Sequence, residues 1–342
     1  MSGLPTVKST AISYEHMYRL SDVHGIFEHA EFTELRPEHG YCLDDVARAL
    51  IVCVREPDPT AELTMAARTY FRFVTRAQST NGRFRNRMSA TLAWEDVPSL
   101  NDHWGRALWA LGSAVSRAPH LTWHALEHFE RGVRLRSEHT RAMAFAGLGA
   151  AEVLKAIPRH AASRALLISC VERIGSPAEN AAWRWPEPRL TYSNASLADV
   201  LIAAGSALGE DQVLRDGISM LEWLLDVETS GDHISATPVG GWQLGEPRPA
   251  FDQQPIEVAA LADACARAFD VTGDSRWAAA VLRCEKWFLG ANDSSVALLD
   301  QASGGGCDGL QREGRNENQG AESTLAMLST FQQARRIRLV AG

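Results

Sequence analysis

Apolar residues return along most of this chain every third or fourth position, the period of a helix with one buried face. Behind Asp44, for example, Val46, Ala49, Leu50 and Cys53 fall at that spacing. The pattern predicts helices over 9–22, 44–55, 61–77, 102 to the break at Pro119, 121–136, 139–157, 161–175, 193–208, 211–228, 254–271, 274–290 and 319–338. They alternate in character. Helices opening at 44, 102, 139, 193, 254 and 319 are rich in Ala, Gly and Leu, as suits burial on most sides. Those opening at 61, 121, 161, 211 and 274 carry more charge, such as Glu127, Glu130, Arg131, Arg134 and Arg136, as suits one solvated face. This is a degenerate repeat of helical hairpins. The helix at 9–22, with Ile12, Met17 and Leu20 for core contacts, supplies a sixth outer member beside the last inner helix and closes a ring. The expected fold is all-α: six hairpins in one domain over 1–342.

The connections are asymmetric. Those from an inner helix to the next outer one are short, around Pro57, Pro119, Pro158, Gly209 and Gly273. Those in the other direction are mostly long, at 78–101, 176–192, 229–253 and 291–318, the first holding an Asn81-Gly82 turn and a strand-like passage from Arg83 to Asp96. In alternating hairpins the long loops and the six inner-helix N-termini share one end. Long loops on a rigid frame are where function concentrates, so a single cleft is expected there. Each inner helix opens on a polar cluster, from His39-Gly40-Tyr41-Cys42-Leu43-Asp44-Asp45 in the first repeat to Asn316-Glu317-Asn318-Gln319-Gly320-Ala321-Glu322 in the last.

Composition narrows the choice of ligand. A net charge of −8 implies no basic face for nucleic acid. No stretch approaches the ~20 apolar residues that span a bilayer, and residues 1–20 lack the pattern of a secretory signal. Six scattered cysteines without a CxxC pair fit reduced thiols and a cytoplasmic location. No phosphate-binding loop follows a strand, since Gly304-Gly305-Gly306 lacks that context, and no cofactor is implied. A metal site from His24, His29 and His39 matches no standard spacing, so no metal is expected.

The expected cleft mixes aromatic rings, carboxylates, amides and Arg. Sugars want this mixture, with flat faces for their C–H surfaces and polar groups for their hydroxyls. Glycosidic-bond cleavage needs a protonated acid and a second, ionised carboxylate. Asp45 is the first candidate for one role, with Asp102 or Glu322 for the other, because repeats 1, 2 and 6 are neighbours in a closed ring. Asp44 reads as the N-cap of its helix, and Asp102 serves equally well as a cap. Tyr41, Asp44, Arg48, Trp94, His103, Arg106, His139, Arg141, Trp183, Asn194, Trp242, Gln253, Glu257, Asn318 and Gln319 are the candidate substrate-binding residues. Structural alternatives stand beside several: a capping box for Glu257, hydrogen-bonded support for His103 and His139, and ion pairs within the acidic cluster for Arg48, Arg106 and Arg141. Trp109, Trp223, Trp277 and Trp287 lie within helices and read as core, whereas the loop residues Trp94, Trp183, Trp185 and Trp242 read as sugar platforms.

The repeated hairpins with acidic inner-helix starts resemble the (α/α)6 toroid of the six-hairpin glycosidase superfamily. More locally, the segments 39–50, 102–112 and 317–324 are similar to a bacterial family whose members stand alone or beside glycosyltransferase domains and mannoside-processing enzymes. That family has Thr-Asp-Asp-Asn where this chain has Leu43-Asp44-Asp45-Val46, and a further acidic residue just before Asp102. The resemblance implies an (α/α)6 toroid with short β-hairpin loops on the active-site face, an oligosaccharide substrate and functional association with a glycosyltransferase. Three activities fit: a glycoside hydrolase using a carboxylate pair, a sugar epimerase or isomerase using His103, His139 or His233 as acid and base, and a non-catalytic oligosaccharide-binding partner. The hydrolase is the first expectation.

Overall fold

The computed structural model describes residues 12–341. Twelve α-helices follow in order: α1 (Glu15–Arg19), α2 (Leu43–Arg55), α3 (Ala61–Ala77), α4 (Asp102–Arg117), α5 (Thr122–Gly132), α6 (Thr140–Ala156), α7 (Ala161–Ile174), α8 (Ala195–Leu208), α9 (Asp211–Val227), α10 (Pro255–Thr272), α11 (Ser275–Phe288) and α12 (Ala321–Ala341). The even-numbered helices pack side by side in sequence, and α12 packs back onto α2, so the inner ring is closed. The odd-numbered helices pack outside it, with α1 against α12. This is the expected (α/α)6 toroid.

Small residues let the inner helices approach closely. A Cβ on Gly112 of α4 would lie 2.2 Å from the Gly149 carbonyl oxygen of α6, so the two backbones touch and only glycine fits. The outer helices start on side-chain caps where the sequence offers them, as at Thr60, whose Oγ1 accepts the Leu63 N–H of α3 at 3.1 Å. Gly209 (φ 77°) ends α8 in the left-handed conformation and lets the chain reverse at once into α9. Trp277 and Trp287 are fully buried, as expected of core residues. All six cysteines are buried and unbridged.

The first helix is shorter than its periodicity predicts. Residues 9–11 lie outside the described residues, Ile12 precedes α1, and the helix stops at Arg19. Asp22 Oδ1 accepts the N–H groups of His24 and Gly25, an Asx turn that competes with helix continuation. Met17 and Leu20 are nonetheless buried where core contacts were expected.

Among the described residues four two-stranded antiparallel sheets decorate the long-loop end: the hairpin β1 (Ala30–Glu31) with β2 (Glu34–Leu35), the long-range pair β3 (Tyr41–Cys42) with β4 (Arg87–Met88), and the hairpins β5 (Thr229–Ser230) with β6 (His233–Ile234) and β7 (Gly309–Gln311) with β8 (Gly314–Asn316). Among the described residues no helix is long and apolar enough to cross a membrane.

Candidate active site

The way α2 starts decides what its carboxylates can do. The helix begins at Leu43, one residue earlier than its sequence suggests, and the cap position falls on Cys42, whose side chain makes no cap. Asn86, on the loop after α3, does that work instead. Its backbone carbonyl accepts the Leu43 N–H at 2.8 Å, and its side-chain oxygen accepts the Asp44 N–H at 3.3 Å. Asp44 is therefore not the cap, and both Asp44 and Asp45 are free to line the cavity above the helix. Asp102 is likewise inside α4, one residue past Asn101 at the cap position, and accepts the Tyr192 hydroxyl at 2.7 Å.

Over the ring lies a cavity of about 550 Å³. Carboxylates from Glu28, Asp44, Asp45, Asp102, Asp308 and Glu322 line it, against the guanidinium groups of Arg48, Arg87 and Arg106. The three expected catalytic candidates are thus brought together. Arg48 joins two of them: its Nη1 donates to Asp45 Oδ1 at 2.6 Å, and its Nη2 lies 2.6 Å from Glu322 Oε2. The two partners differ in environment. The Asp45 side chain is 5% exposed and that of Glu322 is 42% exposed. Burial pushes the Asp45 carboxyl well above the usual carboxylate range; Arg48 pulls it down, while Glu322, Glu28 and Asp44 push it further up. Arg106 lies 3.2 Å from Asp44 and is fixed from below by the Phe145 ring, 3.9 Å away. Beneath Arg48 and Arg106 the ring interior is apolar, with a void of about 50 Å³ walled by residues such as Ile51, Trp109 and Leu325.

Other candidates hold the frame of this cavity. Tyr41 is buried, stacks on Phe27 and donates its hydroxyl to Asp22 at 2.7 Å. Arg141 joins Glu187, the Tyr192 carbonyl (3.0 Å) and Asn194 Oδ1 (3.2 Å), which fixes the loop that carries Tyr192. Glu257 accepts the Ser193 and Asn194 N–H groups at 2.6 and 3.3 Å, so it caps the neighbouring helix α8 rather than its own. Gln253 is buried between Trp287, the Ala236 N–H and Asp293. Gln319 is bound to Ser303 and Asp300, and Asn318 Oδ1 accepts the Phe32 N–H at 2.9 Å.

The loop tryptophans pack on one another or on the core and do not line the cavity. Trp183 contacts Trp223 and Trp242 at 5.1 and 5.3 Å between ring centroids, and Trp185 stacks on Trp223. The Trp183 and Trp242 indoles donate to the Glu187 and Glu246 carbonyls at 2.8 and 3.0 Å. Trp94 sits edge-on to Phe73. Among the described residues the Phe, Tyr or Trp ring that lines the cavity is that of Tyr192. The three histidines of the epimerase expectation also lie outside it. His103 Nε2 is engaged by the Phe84 carbonyl and Ser99 hydroxyl, His139 is exposed at the start of α6, and His233 pairs with Asp293 at 3.1 Å. The imidazole that does line it is that of His29.

Glu28, His29, Asn86, Arg87, Gln254, Asn316 and Ser323 line the cavity without having been singled out from the sequence as its binding residues. They sit on hairpins and loops outside the helical period. Asn86, inside a strand-like passage flanked by arginines, carried the one readable signal. Among the described residues, Glu28, Cys42 and Asp45 alone form a group of three metal-competent side chains. Burial and the nearby carboxylates hold the Cys42 thiol protonated, and Arg87 and Arg48 already occupy Glu28 and Asp45, so the group does not favour a cation.

The opposite mouth, at the C-termini of the inner helices, encloses about 380 Å³. Its cations are all paired: Arg55 with Asp263 at 2.9 Å, Arg267 with Asp199, Arg335 with Glu56 at 2.7 Å, Arg336 with Asp270 at 2.6 Å, and Lys155 and Arg117 both with Glu152, at 2.7 and 3.4 Å.

No family profile and no curated protein matches the chain. Solved structures do. A cellobiose 2-epimerase from Bacillus thermoamylovorans superposes with a TM-score of 0.71 at 9% identity, over 94% of this chain and 95% of the other. A GH76 α-mannanase from Bacteroides thetaiotaomicron gives 0.67 at 11% identity, over 96% of each chain. The cellulase Cel9M of C. cellulolyticum, solved with cellobiose, gives 0.63 at 8% identity, over 93% and 88%. At such identities the likeness establishes the shared (α/α)6 fold.

Proposed function

We propose that this protein is a carbohydrate-active enzyme, a glycoside hydrolase that cleaves an oligosaccharide in the cavity above the inner ring. The observation that carries this reading is the pair Asp45 and Glu322, drawn from the first and last inner helices onto one guanidinium, one carboxyl buried and the other open to the cavity. Asp45, whose burial favours the protonated form, donates its proton to the glycosidic oxygen as the bond to the anomeric carbon breaks. Glu322, held by Arg48, meets the anomeric carbon directly or takes a proton from the attacking water. Asp102 and the Tyr192 ring form the facing wall, where a sugar finds hydroxyl partners and a flat apolar surface. The solved structures of similar fold include enzymes whose names state work on mannan, cellulose and cellobiose, which supports a saccharide as the ligand.

The test is release of reducing ends from a panel of manno- and cello-oligosaccharides. Asp45→Asn and Glu322→Gln should each lower turnover by about 10²–10⁴-fold while sugar binding persists. Binding without bond cleavage anywhere in the panel would defeat the hydrolase reading. A change of configuration at a sugar carbon, abolished by His29→Ala, would replace it with an epimerase that works through the cavity's imidazole.

A further inference from the structure

The hairpin β1–β2 turns through Phe32 and Thr33, since Glu31 pairs with Glu34. Phe32 stands there at φ 52°, in a left-handed region that favours glycine or asparagine and strains a bulky residue. Its side chain gains no burial in return, for the residue is 62% exposed. A strained backbone that presents a bare aromatic ring calls for a reason other than folding.

The position of the hairpin supplies one. Its main chain is stitched to the segment leading into α12. The Phe32 N–H donates to Asn318 Oδ1 at 2.9 Å, the Phe32 carbonyl accepts the Gln319 N–H at 2.9 Å, and the Glu28 carbonyl accepts the Ala321 N–H at 3.0 Å. Glu28, His29 and Gly320, which flank these bonds, line the cavity, and so does Glu322, two residues after Gly320. Phe32 is therefore held at the cavity rim, on the same rigid unit as Glu322. Asn318 and Gln319 hold it there.

We propose that Phe32 is an outer sugar-binding platform, on which a pyranose ring projecting from the cavity stacks its C–H face. This rests on the carbohydrate reading above and adds that the substrate extends beyond the cavity on the side of α12. Saccharides that fit wholly inside would not reach the ring, and longer ones would.

Calorimetric titration of the wild-type chain and of Phe32→Gly with the di- and tetrasaccharides of the β-1,4-glucan and α-1,6-mannan series tests it. In the series that binds, Phe32→Gly should weaken the tetrasaccharide roughly tenfold and leave the disaccharide unchanged. Phe32→Tyr should restore the wild-type value. The thermal midpoint of Phe32→Gly should stay level or rise, because glycine relieves the positive φ. Equal weakening of both lengths, or of neither, overturns the proposal while the carbohydrate reading stands. Wild-type protein that binds no member of either series overturns both.

Discussion

The two mouths of the ring are built on the same helices and answer opposite ends of the same dipoles. N-termini favour acids and C-termini favour bases, and each mouth carries the sign its helix ends attract. At the far mouth, about 380 Å³, every lining cation has an acid partner, with Arg117 and Lys155 sharing Glu152, so its charges close the ring. At the near mouth six carboxylates share three guanidinium groups, and among the described residues neither Asp102 nor Asp308 has an ion-pair partner. The presence of ion pairs does not separate the two ends, since both have them. The unmatched carboxylates do, together with the long loops that stand around them.

Substitutions at each mouth sharpen the contrast. The largest stability loss belongs to the far one. Arg267→Met leaves Asp199 buried without its partner and should cost about 3–5 kcal/mol in urea unfolding, with turnover per folded molecule unchanged. Equal damage to turnover would erase the distinction between the mouths.

At the near mouth the next effect depends on pH. Burial, with Glu228 adding to it, raises the Glu257 carboxyl from 4.5 to about 8. The native state then holds this proton more tightly than the unfolded chain. The stabilisation is complete below 4.5 and is lost as pH rises through about 8, at up to ~1.4 kcal/mol per pH unit. Glu257→Gln should flatten the fall in urea midpoint across that window, and an unaltered slope would refute the assignment. The smallest effect is at the cap. Asn86→Ala should cost about 1 kcal/mol by thermal melting and lower turnover as α2 and its two carboxylates loosen. Turnover at the wild-type level would show that Asp44 and Asp45 do not depend on that cap.

Periodicity and loop length made the ring legible, because inner and outer helices differ in burial and burial writes itself into composition. The convergence of Asp45, Asp102 and Glu322 followed from ring closure alone. What stayed hidden depends on contacts between distant loops. Nothing near Asp44 announces that Asn86 will cap its helix, and nothing near Pro255 announces that Glu257 will cap α8. The loop tryptophans misled for a related reason. A residue outside a helix reads as available, yet Trp183 and Trp242 bury one another and pin their loops through indole N–H bonds. Phe32 escaped notice because a positive φ is invisible in the letters of a two-residue turn.

Closure of α12 onto α2 has a temporal meaning. Asp45 is translated early and Glu322 late, so five hairpins of the ring can assemble on the ribosome with only one of the two acids in place. The pair of acids on Arg48 is complete only once the last helix sits in the seam. On the proposed reading, a chain clipped before α12 lacks Glu322 and should show no turnover.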